Sequence, residues 1–176
     1  MSNTFRYRRG DTKPVFLAPA SATVIEIGDL VYLDWTTKKP KPASDLPDQG
    51  SEALNQDLFQ QYFLGIAGQA SANGDTDKIR IDTEGEFELD CASATFDLGD
   101  LVGADENSDG DGLLDQTVVE ISSETKAIGR VCQPEASAVT KVLVRIRSTI
   151  MAGGVQAQEA GSSSTVTPSS SSSSGA

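Results

Sequence analysis

GDLVYLD at residues 28–34 returns as GDLVGAD at residues 99–105, and each stretch is followed by two further segments that also match each other. In the first copy these segments are FLGIAGQAS (63–71) and DKIRID (77–82), and in the second they are AIGRVCQPEAS (127–137) and TKVLVRIR (140–147). Each copy holds a Gly-Asp turn, a glycine between apolar residues, and a lysine followed by alternating apolar and charged residues. The repeat predicts two related β units that close one small core.

The segments around the repeats also predict short strands joined by turns. Apolar and polar residues alternate near residues 15–18, 22–27 and 30–35, which predicts three strands. KIRIDTEGEFELDCASATF (78–96) predicts a hairpin that turns at Glu84-Gly85. The predicted fold class is therefore mainly β, a small β-barrel or sandwich with an internal pseudo-repeat.

One short α-helix interrupts the strands, and two terminal segments flank the β domain. SEALNQDLFQQYF (51–63) has apolar residues at helical spacing, and Ser51 is suited to cap its N-terminus. The division is an extended N-terminal arm at 1–14, a β-barrel or sandwich domain at 15–150 and a Ser/Gly-rich tail at 151–176. The tail has too little apolar surface to offset the entropy of ordering, so we expect it to be flexible.

Charge and composition limit the classes of function. The net charge is −12, and residues 42–125 carry two Lys/Arg against twenty Asp/Glu. A surface this acidic predicts no nucleic-acid partner, because phosphates require basic residues. No stretch has the length and apolarity of a membrane span. The chain has no histidine and no nucleotide-binding or nucleophile-elbow motif, so we expect no enzymatic activity.

An acidic stretch at residues 105–116, DENSDGDGLLDQ, resembles a calcium-binding loop over part of its length. Calcium takes six to eight oxygen ligands, and alternate acidic or amide side chains before a bend at glycine supply them. The candidate metal ligands are Asp105, Asn107, Asp109, Asp111 and Asp115. Position 12 of such a loop requires a glutamate, but Gln116 occupies it, so an acidic connection between two strands is the alternative interpretation.

Residues 14–150 resemble the capsid decoration (head cement) proteins of tailed bacteriophages. Four segments carry the resemblance, and none contains a catalytic signature: PVFLAPASATVIEIGDLVYLD (14–34), QDLFQQYFLGIAGQAS (56–71), LLDQTVVEISSETKAIGRV (113–131) and KVLVRIRST (141–149). The resemblance implies a small β-barrel protein with no reaction of its own. Such a protein would be made in the host cytoplasm and would bind the outer surface of the capsid in the virion.

The same resemblance implies a homotrimer whose partner is the major capsid protein, at the contacts between neighbouring capsid subunits. Under this interpretation the basic arm is the contact, because aromatic side chains fill pockets and arginine pairs with carboxylates. The candidate partner-binding residues are Phe5, Arg6, Tyr7, Arg8 and Arg9. A solvated terminus without a partner is the alternative for this segment.

Two other functions fit parts of the sequence. A calcium-dependent binding or adhesion module on a virion or cell surface would use the loop at 105–116. An enzyme with paired carboxylates would need two acids at catalytic separation in a concave site. The Ser-rich tail is compatible either with a solubilising extension or with a displayed segment that contacts host surfaces.

Overall fold

The computed structural model describes Thr4 and residues 6–151, and this part of the chain forms eleven β-strands and one α-helix. The strands are β1 (Tyr7–Arg9), β2 (Val15–Leu17), β3 (Leu30–Leu33), β4 (Pro40–Pro42), β5 (Phe63–Ala67), β6 (Ile79–Asp82), β7 (Glu84–Phe96), β8 (Leu101–Glu106), β9 (Leu113–Ile121), β10 (Gly129–Val131) and β11 (Glu135–Arg147). The helix α1 spans Glu52–Gln61, and single 3₁₀ turns lie at Ala43–Asp45 and Glu124–Lys126. The predicted tail (151–176) lies outside the described residues apart from Met151.

The strands form two sheets, and one of them closes into a barrel. Its order is β7-β11-β10-β8-β9, and a parallel pairing of β9 with β7 completes the circle, while β1 adds to the free part of the β7 edge. The second sheet is open and antiparallel, with the order β2-β6-β5-β3-β4. The prediction of a mainly β fold with a small barrel and one short helix is confirmed.

The sequence repeat corresponds to a repeated three-strand unit, one in each sheet. The first unit is β3-β5-β6 in the open sheet, and the second is β8-β10-β11 in the barrel. Their registers agree, because Val31 faces Gly65 as Val102 faces Gly129. The Gly-Asp turns agree as well, since the N–H of Gly28 donates to Ala67 and that of Gly99 donates to Val131.

The glycine inside each unit is required by the approach of its third strand. A Cβ on Gly65 would collide with the carbonyl oxygen of Asp82 on β6, and one on Gly129 would collide with that of Arg145 on β11. Backbone atoms of a paired strand cannot move aside, so a side chain is excluded at both positions. The glycine between apolar residues in the sequence repeat is therefore a packing requirement of the unit.

The main core fills the barrel and extends under the helix. Ser51 caps α1 by accepting a hydrogen bond from the N–H of Leu54, as the sequence predicts. Phe59 of the helix is fully buried and packs at 5.7 Å, centroid to centroid, from Phe63 at the start of β5. A smaller apolar cluster lies under the open sheet. Its buried members are Ile25, Val31, Leu64, Ala67, Ile79 and Ile81.

Two local predictions are wrong, and long-range pairing explains both. Residues 78–96 do not form a hairpin, because β6 pairs in the open sheet whereas β7 belongs to the barrel, with Thr83 between them. Residues 22–27 form no strand and contribute only an isolated bridge between Ile25 and Ser71. Alternation of apolar residues predicts extended backbone but does not determine which strand becomes the neighbour.

Candidate interaction surface

The basic N-terminal segment is part of the barrel sheet rather than a free arm, which corrects the sequence-based interpretation of residues 6–9. β1 pairs antiparallel with β7, so that Tyr7 lies opposite Phe87 and their rings meet edge to face. Four ion pairs join cations of this segment to acidic residues of β7: Arg6–Asp90, Arg8–Glu88, Arg9–Glu86 and Lys13–Glu84. The segment therefore finds its acidic partner within its own chain.

β11 flanks the same acidic row on its other side. Arg145 contacts Glu86 at 2.5 Å, and Arg147 lies 4.0 Å from Glu84. Hydrogen bonds from Arg145 and Arg9 hold the pKa of Glu86 below its usual range. The outer face of β1, β7 and β11 is thus a row of carboxylates between two rows of cations, an arrangement that keeps three strands in register.

Arg6 differs from its neighbours because it is buried where β1 and β9 meet along the β7 edge. Its Nη2 donates to Asp90 and to the Oε1 of Gln116, both at 2.6 Å. Gln116 in turn donates from Nε2 to Asp29 at 2.8 Å. The Nε of Arg6 has no partner in the described part of the chain. This chain of contacts joins the N-terminal segment, the barrel and the turn before β3.

Asp29 lies beside a cavity of about 360 Å³, and four carboxylates are among the groups that line it. Burial raises the pKa of Asp29 to about 6, although the hydrogen bond from Gln116 opposes the change. Burial also raises the pKa of Asp115, which accepts hydrogen bonds from the N–H and the hydroxyl of Ser44. The other acids of the cavity are Glu26 and Asp45.

The acidic stretch forms the tip of the β8–β9 hairpin, and the five predicted calcium ligands are not brought together. The side chain of Asn107 points back into its own loop, and its Oδ1 accepts hydrogen bonds from the N–H groups of Asp109, Gly110 and Asp111. Asp105 lies on β8, and Asp115 lies on β9 against Ser44. Within Thr4 and residues 6–151, no three His, Cys, Asp or Glu side chains are grouped so that they would hold a metal ion.

A groove of about 920 Å³ opens on the opposite end of the same hairpin. Charged side chains of both signs line it: the arginines are Arg130, Arg145 and Arg147, and the acids are Asp11, Glu84, Glu86 and Glu124. The three arginine side chains are 55%, 69% and 65% exposed, respectively. Leu98, which is 69% exposed, adds an apolar side chain to the rim.

Sequence reasoning missed the groove and the charged face of β1, β7 and β11. A signal for the charged face was present, because EGEFELD (84–90) carries an acid at every second position and KVLVRIR (141–147) carries cations at 141, 145 and 147. Opposite charge patterns on two alternating segments are expected when the segments become neighbours in a sheet. The groove is lined by residues from segments that are far apart in sequence, from Gly10 to Arg147, so no local pattern predicts it.

Comparison with known proteins identifies no family for this chain. No protein-family model matches the sequence, and no curated protein matches it. One similar solved structure is the N base of the head fiber gp8.5 of bacteriophage phi29, with 12% identity and a TM-score of 0.43 over 77% of this chain and 95% of that one. In the described residues, no helix is both long and apolar enough to cross a membrane.

Proposed function

We propose that this protein is a structural component of a phage virion that binds the outer surface of the capsid and stabilises contacts between major capsid subunits. The sequence resemblance of residues 14–150 to capsid decoration proteins is the starting point. A protein with this role transmits mechanical load between its neighbours, so its parts must be held firmly to one another. The observation that carries the proposal is the way in which its N-terminal segment ties the two sheets together.

The N-terminal segment contacts both sheets before it enters β2. The N–H of Thr4 donates to Ile27 in the turn that leads to the open sheet. Arg6 then binds Asp90 and Gln116 in the barrel. The carbonyl of Thr12 accepts the N–H groups of Thr83 and Glu84 where β6 passes into β7. Both sheets are thereby coupled into one body, which suits a protein that clamps neighbouring subunits.

In this proposal, the contact with the capsid uses the cations of the segment that remain accessible. Arg8 and Arg9 are 45% and 64% exposed, whereas Arg6 is only 6% exposed and is removed from the proposed contact. Phe5 lies outside the described residues and stays in the proposal on the sequence argument. Many modest contacts of this kind suffice on a capsid, because a lattice of sites multiplies their effect.

Sedimentation of capsids that lack the protein tests the proposal. Added wild-type protein should sediment with the particles and saturate at a fixed ratio to the major capsid protein. A double variant, Phe5→Ala with Arg8→Glu, should bind at least about tenfold more weakly, because it loses an aromatic contact and reverses an exposed charge. Lys39→Glu, a comparable reversal of an exposed cation outside this segment, serves as the matched control.

The two possible failures have different meanings. Absence of wild-type binding to the particles would contradict the function itself. Full binding by the double variant would remove the N-terminal contact and leave capsid binding to another surface. Deletion of residues 2–13 does not make this distinction, because it also removes Arg6 and Thr12, which hold the sheets together.

A further inference from the structure

Asn73 differs from the other asparagines of the chain both in the residue that follows it and in its surroundings. It precedes Gly74, whereas the other three asparagines precede a threonine, a glutamine and a serine. Asn73 is exposed, and its side chain makes no hydrogen bond within the described part of the chain. The space beside Gly74 is open, because a Cβ built there would have no atom within 4 Å. The side-chain carbonyl carbon of Asn73 is therefore free to approach the backbone nitrogen of Gly74, which no Cβ shields.

The two other described asparagines are held by hydrogen bonds. Asn55 is buried in α1, where its Oδ1 accepts the N–H of Gln49 and its Nδ2 donates to Glu106 at 2.9 Å. Asn107 accepts three backbone N–H groups with Oδ1 and donates from Nδ2 to Asp111 at 2.8 Å. These bonds prevent either side chain from turning towards the nitrogen of the next residue. Among the asparagines that the structure describes, Asn73 alone keeps this freedom.

One contact restrains the nitrogen of Gly74. Its N–H donates to the carbonyl oxygen of Ser21 at 2.6 Å, and the turn itself is closed by the N–H of Asp75, which donates to Ala72 at 3.0 Å. All residues from 72 to 78 are exposed. Exposed segments with few buried contacts open locally at a small fraction of the free energy of global unfolding. The contact with Ser21 therefore acts as a gate that controls how often the nitrogen becomes available.

We propose that Asn73 is a site of spontaneous deamidation in this protein. When the contact with Ser21 opens, the nitrogen of Gly74 loses its proton to hydroxide and attacks Cγ of Asn73. A bond forms between this nitrogen and Cγ, the bond from Cγ to Nδ2 breaks, and Nδ2 takes a proton from water and leaves as ammonia. Water then opens the cyclic imide at either of its two carbonyl carbons, which gives aspartate or isoaspartate. The reaction needs no oxidant or cofactor.

Both products change the loop that joins β5 to β6. Each adds one negative charge close in sequence to Asp75 and Asp77, in a chain that is already acidic. Isoaspartate also places one additional carbon in the main chain between Asn73 and Gly74, which displaces the N–H of Gly74 from Ser21. This inference does not rest on the proposed capsid function, because the reaction requires only water.

Incubation of the full chain at mildly alkaline pH, followed by peptide mapping with mass spectrometry, tests the proposal. The exchange of NH for O should accumulate at residue 73 before it appears at Asn55 or Asn107, as a mixture of aspartyl and isoaspartyl peptides. The rate should increase with pH, because the attacking nitrogen must be deprotonated. Isoelectric focusing of the native protein should show a growing acidic species that is absent from Asn73→Gln, the matched control.

A second pair of variants tests the gate. Ile25 is buried and bridges to Ser71 in the segment that carries Ser21, so Ile25→Val should loosen this segment and accelerate the reaction about two- to tenfold. Ile146→Val removes the same buried methyl group from the barrel core and should leave the rate unchanged. Thermal melting establishes that both variants are folded.

A synthetic peptide of residues 69–78 reports whether the conditions permit the reaction. Retention of the amide at residue 73 of the full chain while the peptide reacts would overturn the proposal, as would earlier deamidation at Asn55 or Asn107. Equal acceleration by Ile25→Val and Ile146→Val would overturn the gate, because the reaction would then proceed from the globally unfolded chain.

Discussion

Arg6 and Asp29 are charged residues buried in the same region, and Gln116 lies between them. Arg6 also binds Asp90, which is 38% exposed, so this pair keeps contact with water. Asp29 has no cation in direct contact among its described hydrogen bonds, which come from Gln116 and from the N–H of Glu26. A buried carboxyl supported only by neutral donors holds its proton more strongly than one in water.

The burial of Asp29 predicts a characteristic pH dependence of stability. Its pKa is about 6 in the folded chain against an ordinary 3.8, so between these values the folded state binds more protons than the unfolded state. Stability from this group therefore rises as pH falls from 7 to 4, by roughly 2–3 kcal/mol. Urea unfolding of wild type and Asp29→Asn at several pH values should show the wild type gaining relative to the variant over this range.

The wild type must be compared with Asp29→Asn because other acids change the free energy of unfolding in the opposite direction as the pH falls. Hydrogen bonds from arginines lower the pKa of Glu86 and of Asp90, so protonation of these groups destabilises the fold at low pH. Both groups are present in the wild type and in Asp29→Asn, and their effects cancel in the difference. A difference that stays constant from pH 7 to pH 4 would contradict the raised pKa of Asp29.

For the helix, the turns and the strands, the sequence predicted local structure well but predicted poorly which strands pair. The Gly-Asp turns, the cap at Ser51 and the short helix depend on neighbouring residues, and they were predicted correctly. The pairing of β1 with β7 joins residues about 80 positions apart, and the separation of β6 from β7 depends on which sheet each strand completes. Strand pairing depends on the whole fold, so the alternation of apolar and polar residues cannot by itself predict it.

The candidate site shows the same limit. Arg6 to Arg9 were recognised as a functional candidate because they form an unusual basic cluster in an acidic chain. Within the chain they form ion pairs with the acids of β7, which a prediction of strand pairing would have identified. The arginines of the groove form no cluster in the sequence, since Arg130 and Arg145 belong to β10 and β11 and become neighbours only when these two strands pair.

The strand β1 gives a direct comparison of a buried ion pair with an exposed one. Arg6→Ala should reduce the free energy of unfolding by about 2–3 kcal/mol, because it leaves buried Gln116 without its donor and Asp90 without its cation. Arg8→Ala removes the same kind of charge from an exposed pair with Glu88 and should cost about 1 kcal/mol or less. Chemical denaturation of the two variants measures this difference.

An equal loss of unfolding free energy in the two variants would contradict the role of Arg6 at the junction of β1 and β9.

Salt should affect the stabilising contributions of Arg6 and Arg8 differently. Because the Arg8–Glu88 pair is exposed, its small contribution should disappear at about 1 M salt, where charges are screened within about 3 Å. The contribution of Arg6 should persist, since its bonds to Gln116 are buried.

On the scale of the whole molecule, the two sheets form one body, and its stability should not depend on calcium. Asn107 uses its side-chain oxygen to accept three backbone N–H groups, and Asp115 is bound to Ser44, so both would have to break existing contacts to bind a metal ion. We expect the melting temperature to be the same in millimolar calcium and in excess chelator. An increase with calcium would instead favour a calcium-dependent binding module.

The pairing of residues 6–9 with residues 86–90 has a consequence for folding during synthesis. At about 5–20 residues per second, a ribosome needs roughly 4–16 s to make the 80 residues that separate Arg8 from Glu88. The strands of the open sheet are complete by Asp82, whereas the barrel waits for Arg147. The open sheet is therefore able to form first, while the basic segment stays unpaired on the nascent chain, and closure of the barrel comes last.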